Sequence, residues 1–171
     1  TGTAEAARRL GVPLTTLDEV DQLDLAIDGA DEIDPHKHMI KGGGAALVRE
    51  KIVAAAAREM VVVVDEAKCV PVLGKRFLLR VEIQQFGWTQ TQRKVAATGA
   101  QPTRRLAKDG QPLVTDNGNY ILDCRYDGIA DPAALHARLN ALPGVVDNGL
   151  FVGMAGRVLV GNGTGTVRRI E

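Results

Sequence analysis

The sequence predicts an α/β protein, in which an open parallel sheet covered by helices is interrupted by a smaller α+β unit. Three observations predict it. Leu23, Leu25 and Ile27 alternate with Asp24 and Ala26, the period of a strand, and the run stops at the turn Asp28-Gly29-Ala30-Asp31. A helical stretch over residues 45–60 feeds straight into Val61-Val62-Val63-Val64, a β-branched run of the kind buried on both faces of a parallel sheet. From Phe77 onward the pattern becomes strand, helix, strand, strand, helix, strand, the βαββαβ order of a ferredoxin-like unit. The first part is Rossmann-like; the second is inserted into it.

Taken in order, residues 1–10 read as a helix with alanines and Leu10 on one side and Arg8 and Arg9 near its end, closed by Gly11. Val12-Pro13-Leu14 is a short strand or connection. The strand ending at Asp28 places carboxylates at its carboxyl end, the edge of an open α/β sheet where loops and helix N-termini converge on ligands. Lys41 then precedes Gly42-Gly43-Gly44, and a helix starts near Ala45. Glycines let backbone N–H groups approach a ligand with no Cβ in the way, and the helix N-terminus behind them favours negative charge. Asp65-Glu66-Ala67-Lys68 follows the carboxyl end of the valine strand. The inserted unit is expected to run as strand 77–83, helix 87–97, strand 101–107, strand 113–126, helix 132–142 and strand 145–152. Asp116-Asn117-Gly118-Asn119 supplies turn chemistry, and Asp131-Pro132 an N-cap with a first-turn proline. Val158-Leu159-Val160 returns to the first sheet, and the glycines of 161–165 turn the chain into a last short strand. A phosphate cradle in that glycine run would need a following helix, which the pattern lacks. The domains are thus 1–74 with 155–171, Rossmann-like, and 75–154, ferredoxin-like.

A chain of 171 residues buries roughly 70% of its unfolded surface, enough for one good core or two small ones. With 21 basic and 21 acidic residues the net charge is zero, so neither a nucleic-acid footprint nor a polybasic membrane signal is present, and a small-molecule role remains. Cys69 and Cys124 stand far apart without a Cys-x-x-Cys partner, and no apolar run is of spanning length. A reducing cytoplasm is the expected compartment.

Glu50 is the most informative single residue. Its helical neighbours at i−4, i−3, i+3 and i+4 are Ala46, Leu47, Val53 and Ala54, so no base on its own helix pairs with it. A carboxylate in such a stripe is partly desolvated, the condition that suits a general base; the alternative is an exposed helix carboxylate. Asp28, Asp31, Glu32 and Asp34 form an acidic turn open to three readings: a divalent-metal site, a catalytic carboxylate pair, or turn and capping residues. Lys37 and Lys41 argue against a dedicated metal cage, and His36 and His38 lack a third ligand at metal spacing. Lys41 and Lys68 follow turns at element ends, where cations suit an anionic ligand. Trp88 and the few other aromatics are core or interface residues, too sparse to stack nucleic-acid bases.

The segments DGADEID, KGGGAALVREK and VVVVDEAK, in this order and spacing, resemble the signature segments of ribose-5-phosphate isomerase, type A, and the likeness continues through VEI, VTDNGNYILD and LPGVVDNGLF. The resemblance implies an aldose–ketose isomerase of the non-oxidative pentose phosphate pathway, using no metal or cofactor. It would interconvert ribose 5-phosphate and ribulose 5-phosphate through a cis-enediolate. By position, Glu50 matches the general base, and Asp28 and Asp31 the carboxylates that assist at the sugar oxygens. Lys41 with the amides of Gly42, Gly43 and Gly44 matches the enediolate-stabilising group, Lys68 a phosphate contact, and Gly29 lies among the substrate-binding residues. The resemblance further implies a cytoplasmic homodimer or homotetramer. In the family a first strand and a glycine-threonine-serine phosphate loop precede the segment matching residues 1–10, so the parallel sheet is expected to be incomplete on its N-terminal side. A sugar-phosphate sensor module and an inactive remnant of the isomerase stay open as alternatives.

Overall fold

The computed structural model describes residues 2–170. Helix α1 (Gly2–Arg9) closes on Gly11, whose φ of 70° lets Val12 N–H reach back to Ala7 O at 2.9 Å. Strand β1 (Leu23–Asp28) is followed by two short strands, β2 (Glu32–Ile33) and β3 (Met39–Ile40), then helix α2 (Leu47–Ala56) and strand β4 (Ala57–Asp65). α2 is the crossover that makes β1 and β4 parallel, with Leu23 opposite Ala57 and Asp28 opposite Val62.

That register shortens the helix expected over 45–60. The backbone from Ala57 to Met60 pairs with β1, so sheet contacts override the helical preference of the Arg58-Glu59-Met60 side chains. The valine run is buried on both faces only in part: on one face Val61 is buried but Val63 is not. Val62 and Val64 enter a core with Ala26, Met60, Phe151, Val158 and Val160, whereas Val63 is exposed on the face it shares with Leu25 and the 67% exposed Ile27. Strand β10 (Arg157–Gly161) returns to pair parallel with β4, and β11 (Val167–Ile170) turns back antiparallel. The glycine run between them is a turn in which Asn162 Oδ1 accepts from Thr164 N and Thr166 N.

The inserted segment folds as β5 (Leu79–Ile83), α3 (Trp88–Ala96), β6 (Gln101–Arg104), β7 (Tyr120–Arg125), α4 (Pro132–Asn140) and β8 (Val145–Asn148). Its sheet order is β6-β7-β5-β8, antiparallel throughout. Leu79, Val81 and Ile83 face the helices with Val95, Leu122, Cys124 and Leu139; Arg80 and Glu82 alternate onto the opposite face. Both expected strands 101–107 and 113–126 are shorter, because tight turns interrupt them where Ala107 N bonds Gln111 O and Thr115 N bonds Asn119 O. Asp131 caps α4 as expected, its carboxylate accepting from Ala134 N at 2.9 Å.

The expected strand 145–152 is broken at Gly149. β8 stays with β5, while β9 (Leu150–Phe151) pairs with β3 in a small third sheet, β2-β3-β9. Gly149 N–H donates to Arg80 O at 2.7 Å and its carbonyl accepts from Lys41 N at 2.9 Å, so one residue ties β5 of the inserted sheet to the segment that follows β3. A Cβ there would lie 2.4 Å from Lys41 O.

Candidate active site

Asp28 closes β1, Asp31 precedes β2, Lys41 follows β3, and Glu50 lies in the first turns of α2. Strand pairing brings these points together, and with Gly29, Ala30 and Gly42–Gly44 they line one cleft of about 220 Å³.

Lys41 is its centre. It is only 4% exposed, and its Nζ donates to Asp28 Oδ2 at 2.8 Å and to Gly29 O at 2.6 Å. Glu50 Oε2 lies 3.2 Å from the same nitrogen, off the axis of a hydrogen bond; that buried oxygen has no hydrogen-bond partner among the described residues. Glu50 thus pairs with no base of its own helix but faces Lys41, supplied by the segment after β3. The arrangement leaves a carboxylate lone pair free beside a fixed ammonium, which suits proton abstraction next to a carbonyl.

Asp31 Oδ2 accepts from Gly43 N at 2.8 Å, and a Cβ on Gly43 would stand 2.9 and 3.0 Å from the Asp31 carboxylate oxygens. The Gly43 amide is therefore committed to Asp31, unlike the expected trio of ligand-facing amides; those of Gly42 and Gly44 carry no acceptor among the described residues. Gly42, at φ 90°, meets Leu47 so closely that a Cβ would lie 2.6 Å from Leu47 Cβ. This seats the turn on the start of α2.

The acidic turn divides in two. Asp28 and Asp31 face the cleft. Glu32 is buried and accepts from Gly74 N, Arg76 N and Phe77 N at 2.6, 3.1 and 2.7 Å, while Asp34 accepts from His36 N and His38 N and pairs with His38 Nδ1 at 3.1 Å. These two hold backbone, the capping role left open by their spacing. Lys68, in the 3₁₀ turn Glu66–Lys68, is outside the cleft walls, its ammonium 5.9 Å from the centre of the Phe77 ring.

Sequence reasoning missed Arg105, Asp123 and Arg80. Arg105 forms a two-pronged pair with Asp123, Nε to Oδ2 at 3.0 Å and Nη2 to Oδ1 at 2.6 Å, and donates Nη1 to Gly43 O at 2.9 Å. Arg80 Nε lies 2.9 Å from Asp123 Oδ1, and burial pulls its guanidinium below the ordinary arginine pKa. A signal existed: Arg80 and Glu82 alternate with Leu79, Val81 and Ile83, so β5 carries a polar face that must find partners.

The chain is similar to known proteins along nearly its whole length. The family profile described as "Ribose 5-phosphate isomerase A (phosphoriboisomerase A)" matches residues 1–165. The ribose-5-phosphate isomerase A of Chloroflexus aurantiacus is 54% identical over 154 residues, 90% of this chain and 64% of the relative; that of Trichodesmium erythraeum is 52% identical over 169 residues, 96% and 71%. The chain thus spans about two thirds of the length of these curated relatives. A solved D-ribose-5-phosphate isomerase in complex with phospho-erythronic acid superposes with a TM-score of 0.94 at 37% identity, over 98% of this chain and 73% of that one. The Methanocaldococcus jannaschii ribose 5-phosphate isomerase A gives 0.91 at 39%, over 97% and 73%. On the profile match and these identities, the chain belongs to the ribose 5-phosphate isomerase A family.

Proposed function

We propose that this chain carries the proton-transfer site of an aldose–ketose isomerase that interconverts ribose 5-phosphate and ribulose 5-phosphate in the non-oxidative pentose phosphate pathway. One observation carries the reading: the buried, unbonded Glu50 Oε2 lies 3.2 Å from an ammonium held in place by Asp28 and Gly29. Glu50 removes the proton from C2 of the open-chain aldose. The C–H electrons form the C1–C2 double bond, and the C1 carbonyl oxygen becomes the enediolate oxyanion. Lys41 meets that charge, and a buried cation already fixed in place stabilises an oxyanion without reorganising at the moment of reaction. Return of the abstracted proton to C1, with transfer of the O2 proton to O1, leaves the ketose. Asp28 and Asp31 hold the sugar hydroxyls through ring opening and that second transfer. Lys68 attracts the phosphate from outside the cleft walls. The same reading assigns residues 1–74 and 155–171 to one domain and 75–154 to another, supported by the separate antiparallel sheet β6-β7-β5-β8 formed within the insertion, and places the protein in the cytoplasm as a homodimer or homotetramer.

Glu50→Gln tests the base, since glutamine keeps the shape without the basicity. The expected result is a fall in kcat of about 10²–10⁴-fold, with affinity for phospho-erythronic acid within about threefold of the parent. A variant that isomerises within about threefold of the parent removes Glu50 from the role. A parent chain that binds the acid but does not turn over ribose 5-phosphate is a sensor module instead. Light scattering on the same preparations reports the assembly.

A further inference from the structure

We infer that Lys51, through its buried pair with Asp147, is a positioning residue for Glu50; the inference rests on Glu50 being the base. At the start of α2 the fully buried Leu47 seats the helix against Gly42, but the turn gives it no side-chain hydrogen bond. The N-cap residue is Ala46, which gives no side-chain cap, and the preceding turn is Gly42-Gly43-Gly44. The two residues flanking Glu50 are instead fastened to the inserted sheet. Arg49 donates Nε to Asn117 Oδ1 at 3.0 Å and Nη2 to Asp116 O at 2.9 Å, and Asn117 is itself held by the buried Glu82 at 3.1 Å. Lys51 Nζ donates to Asp147 Oδ1 at 2.7 Å and to Asn148 O at 2.6 Å. Successive helical residues point about 100° apart, so anchors on both sides of Glu50 fix the rotation of α2 and with it the direction of the carboxylate between them.

The two anchors are unequal. The Arg49 pair is solvent-exposed, and exposed pairs contribute little. The Lys51 pair is nearly buried on both sides. Its acceptor is rigid too, because Asp147 Oδ1 also takes Asn148 N at 2.8 Å and Asn140 Nδ2 at 3.2 Å. Lys51 Nζ lies 5.0 Å from the centre of the Phe151 ring, and Lys41 Nζ lies 5.5 Å from that same ring. One fully buried side chain thus sets the spacing between the ammonium that faces Glu50 and the ammonium that anchors its helix. A shift of Lys51 moves the base relative to Lys41, and a misplacement of about 1 Å costs about 10²-fold in rate.

The test separates positioning from mere stability. Lys51→Met alone strands the Asp147 carboxylate and destabilises the fold, whereas Lys51→Met with Asp147→Leu removes the whole pair, a replacement that proteins tolerate. In the double variant the melting temperature returns close to the parent's, while kcat on ribose 5-phosphate stays about 10²-fold low with KM within about threefold. Hydrogen exchange of the 47–56 amides rises about tenfold. Parental kcat in the folded double variant, or unchanged exchange across α2, overturns the inference, as does a double variant that cannot fold, which makes the pair a folding element only. An inactive parent chain overturns the isomerase reading instead, and the exchange measurement then decides the anchoring by itself.

Discussion

At Gly43 the space for a side chain is already filled by the carboxylate it binds. A Cβ would approach the Asp31 oxygens to 2.9 and 3.0 Å, so Gly43→Ala forces Asp31 aside and breaks the 2.8 Å bond from the Gly43 amide. A hydrogen bond to a charged group contributes about 1.5–3 kcal/mol. The variant is expected to fold with a lower melting temperature and to lose at least about tenfold in kcat/KM; parental kinetics would show that Asp31 need not sit where Gly43 holds it. Residue identity in this region was legible in the sequence, but residue role was not. Asp28, Asp31, Glu32 and Asp34 share one acidic turn, and only the pairing of β2 with β3 turns Glu32 toward the amides of Gly74, Arg76 and Phe77, away from the cleft. Pairs as short as these two strands leave almost no periodic trace. Glu50 was legible because a lone carboxylate in an apolar helical stripe is a local pattern; its neighbour Lys41 came from another element.

Among the elements, the break between β8 and β9 has the largest consequence for the site. Gly149 N–H and C=O are spent on Arg80 and Lys41, and its Cα is packed so closely that a Cβ would sit 2.4 Å from Lys41 O. Gly149→Ala therefore pushes Lys41 from its place between Asp28 and Glu50, or opens the junction. Overpacking of this kind costs about 1–3 kcal/mol, and both stability and turnover should fall together. Urea midpoints and kcat measured on the same variant check it; a loss in one without the other would uncouple the junction from the cleft. The sequence showed 145–152 as one strand because its pattern is continuous, and a glycine within a strand marks only that a backbone comes close, not which one. The boundary of α2 was hidden for a similar reason. Residues 57–60 favour helix locally, and their partner in β1 lies more than thirty positions away.

For the molecule as a whole, the α/β class and the βαββαβ insertion were legible because each rests on the period of apolar residues along the chain. Sheet order and the polar contacts behind the cleft were not, since Arg105, Asp123 and Gly43 meet only after distant strands pair. That buried second sheet also sets a response to alkali. Burial pushes the Tyr126 hydroxyl up to about 12 from 10.0, and raises the Cys124 thiol as well. Acids whose folded pKa is raised add stability that is full below the unfolded pKa and lost as pH rises through the folded one. The loss should begin near pH 9 through Cys124 and steepen between about 10 and 12 through Tyr126. Lys51 works in the opposite sense: burial lowers its pKa, so its desolvation penalty is relieved as pH rises. Tyr126→Phe is expected to flatten the decline above pH 10, seen in denaturant midpoints across that range. An unchanged slope would show that Tyr126 does not titrate with unfolding. The order β1-β4-β10-β11 has a consequence for biosynthesis. Once Val61–Val64 have left the ribosome, one edge of β4 waits unpaired until residues 157–161 are made, with the whole ferredoxin-like insertion synthesised in between. During that interval a β-branched strand edge is open to the wrong partner, and it closes only when the chain leaving the insertion brings β10 to β4.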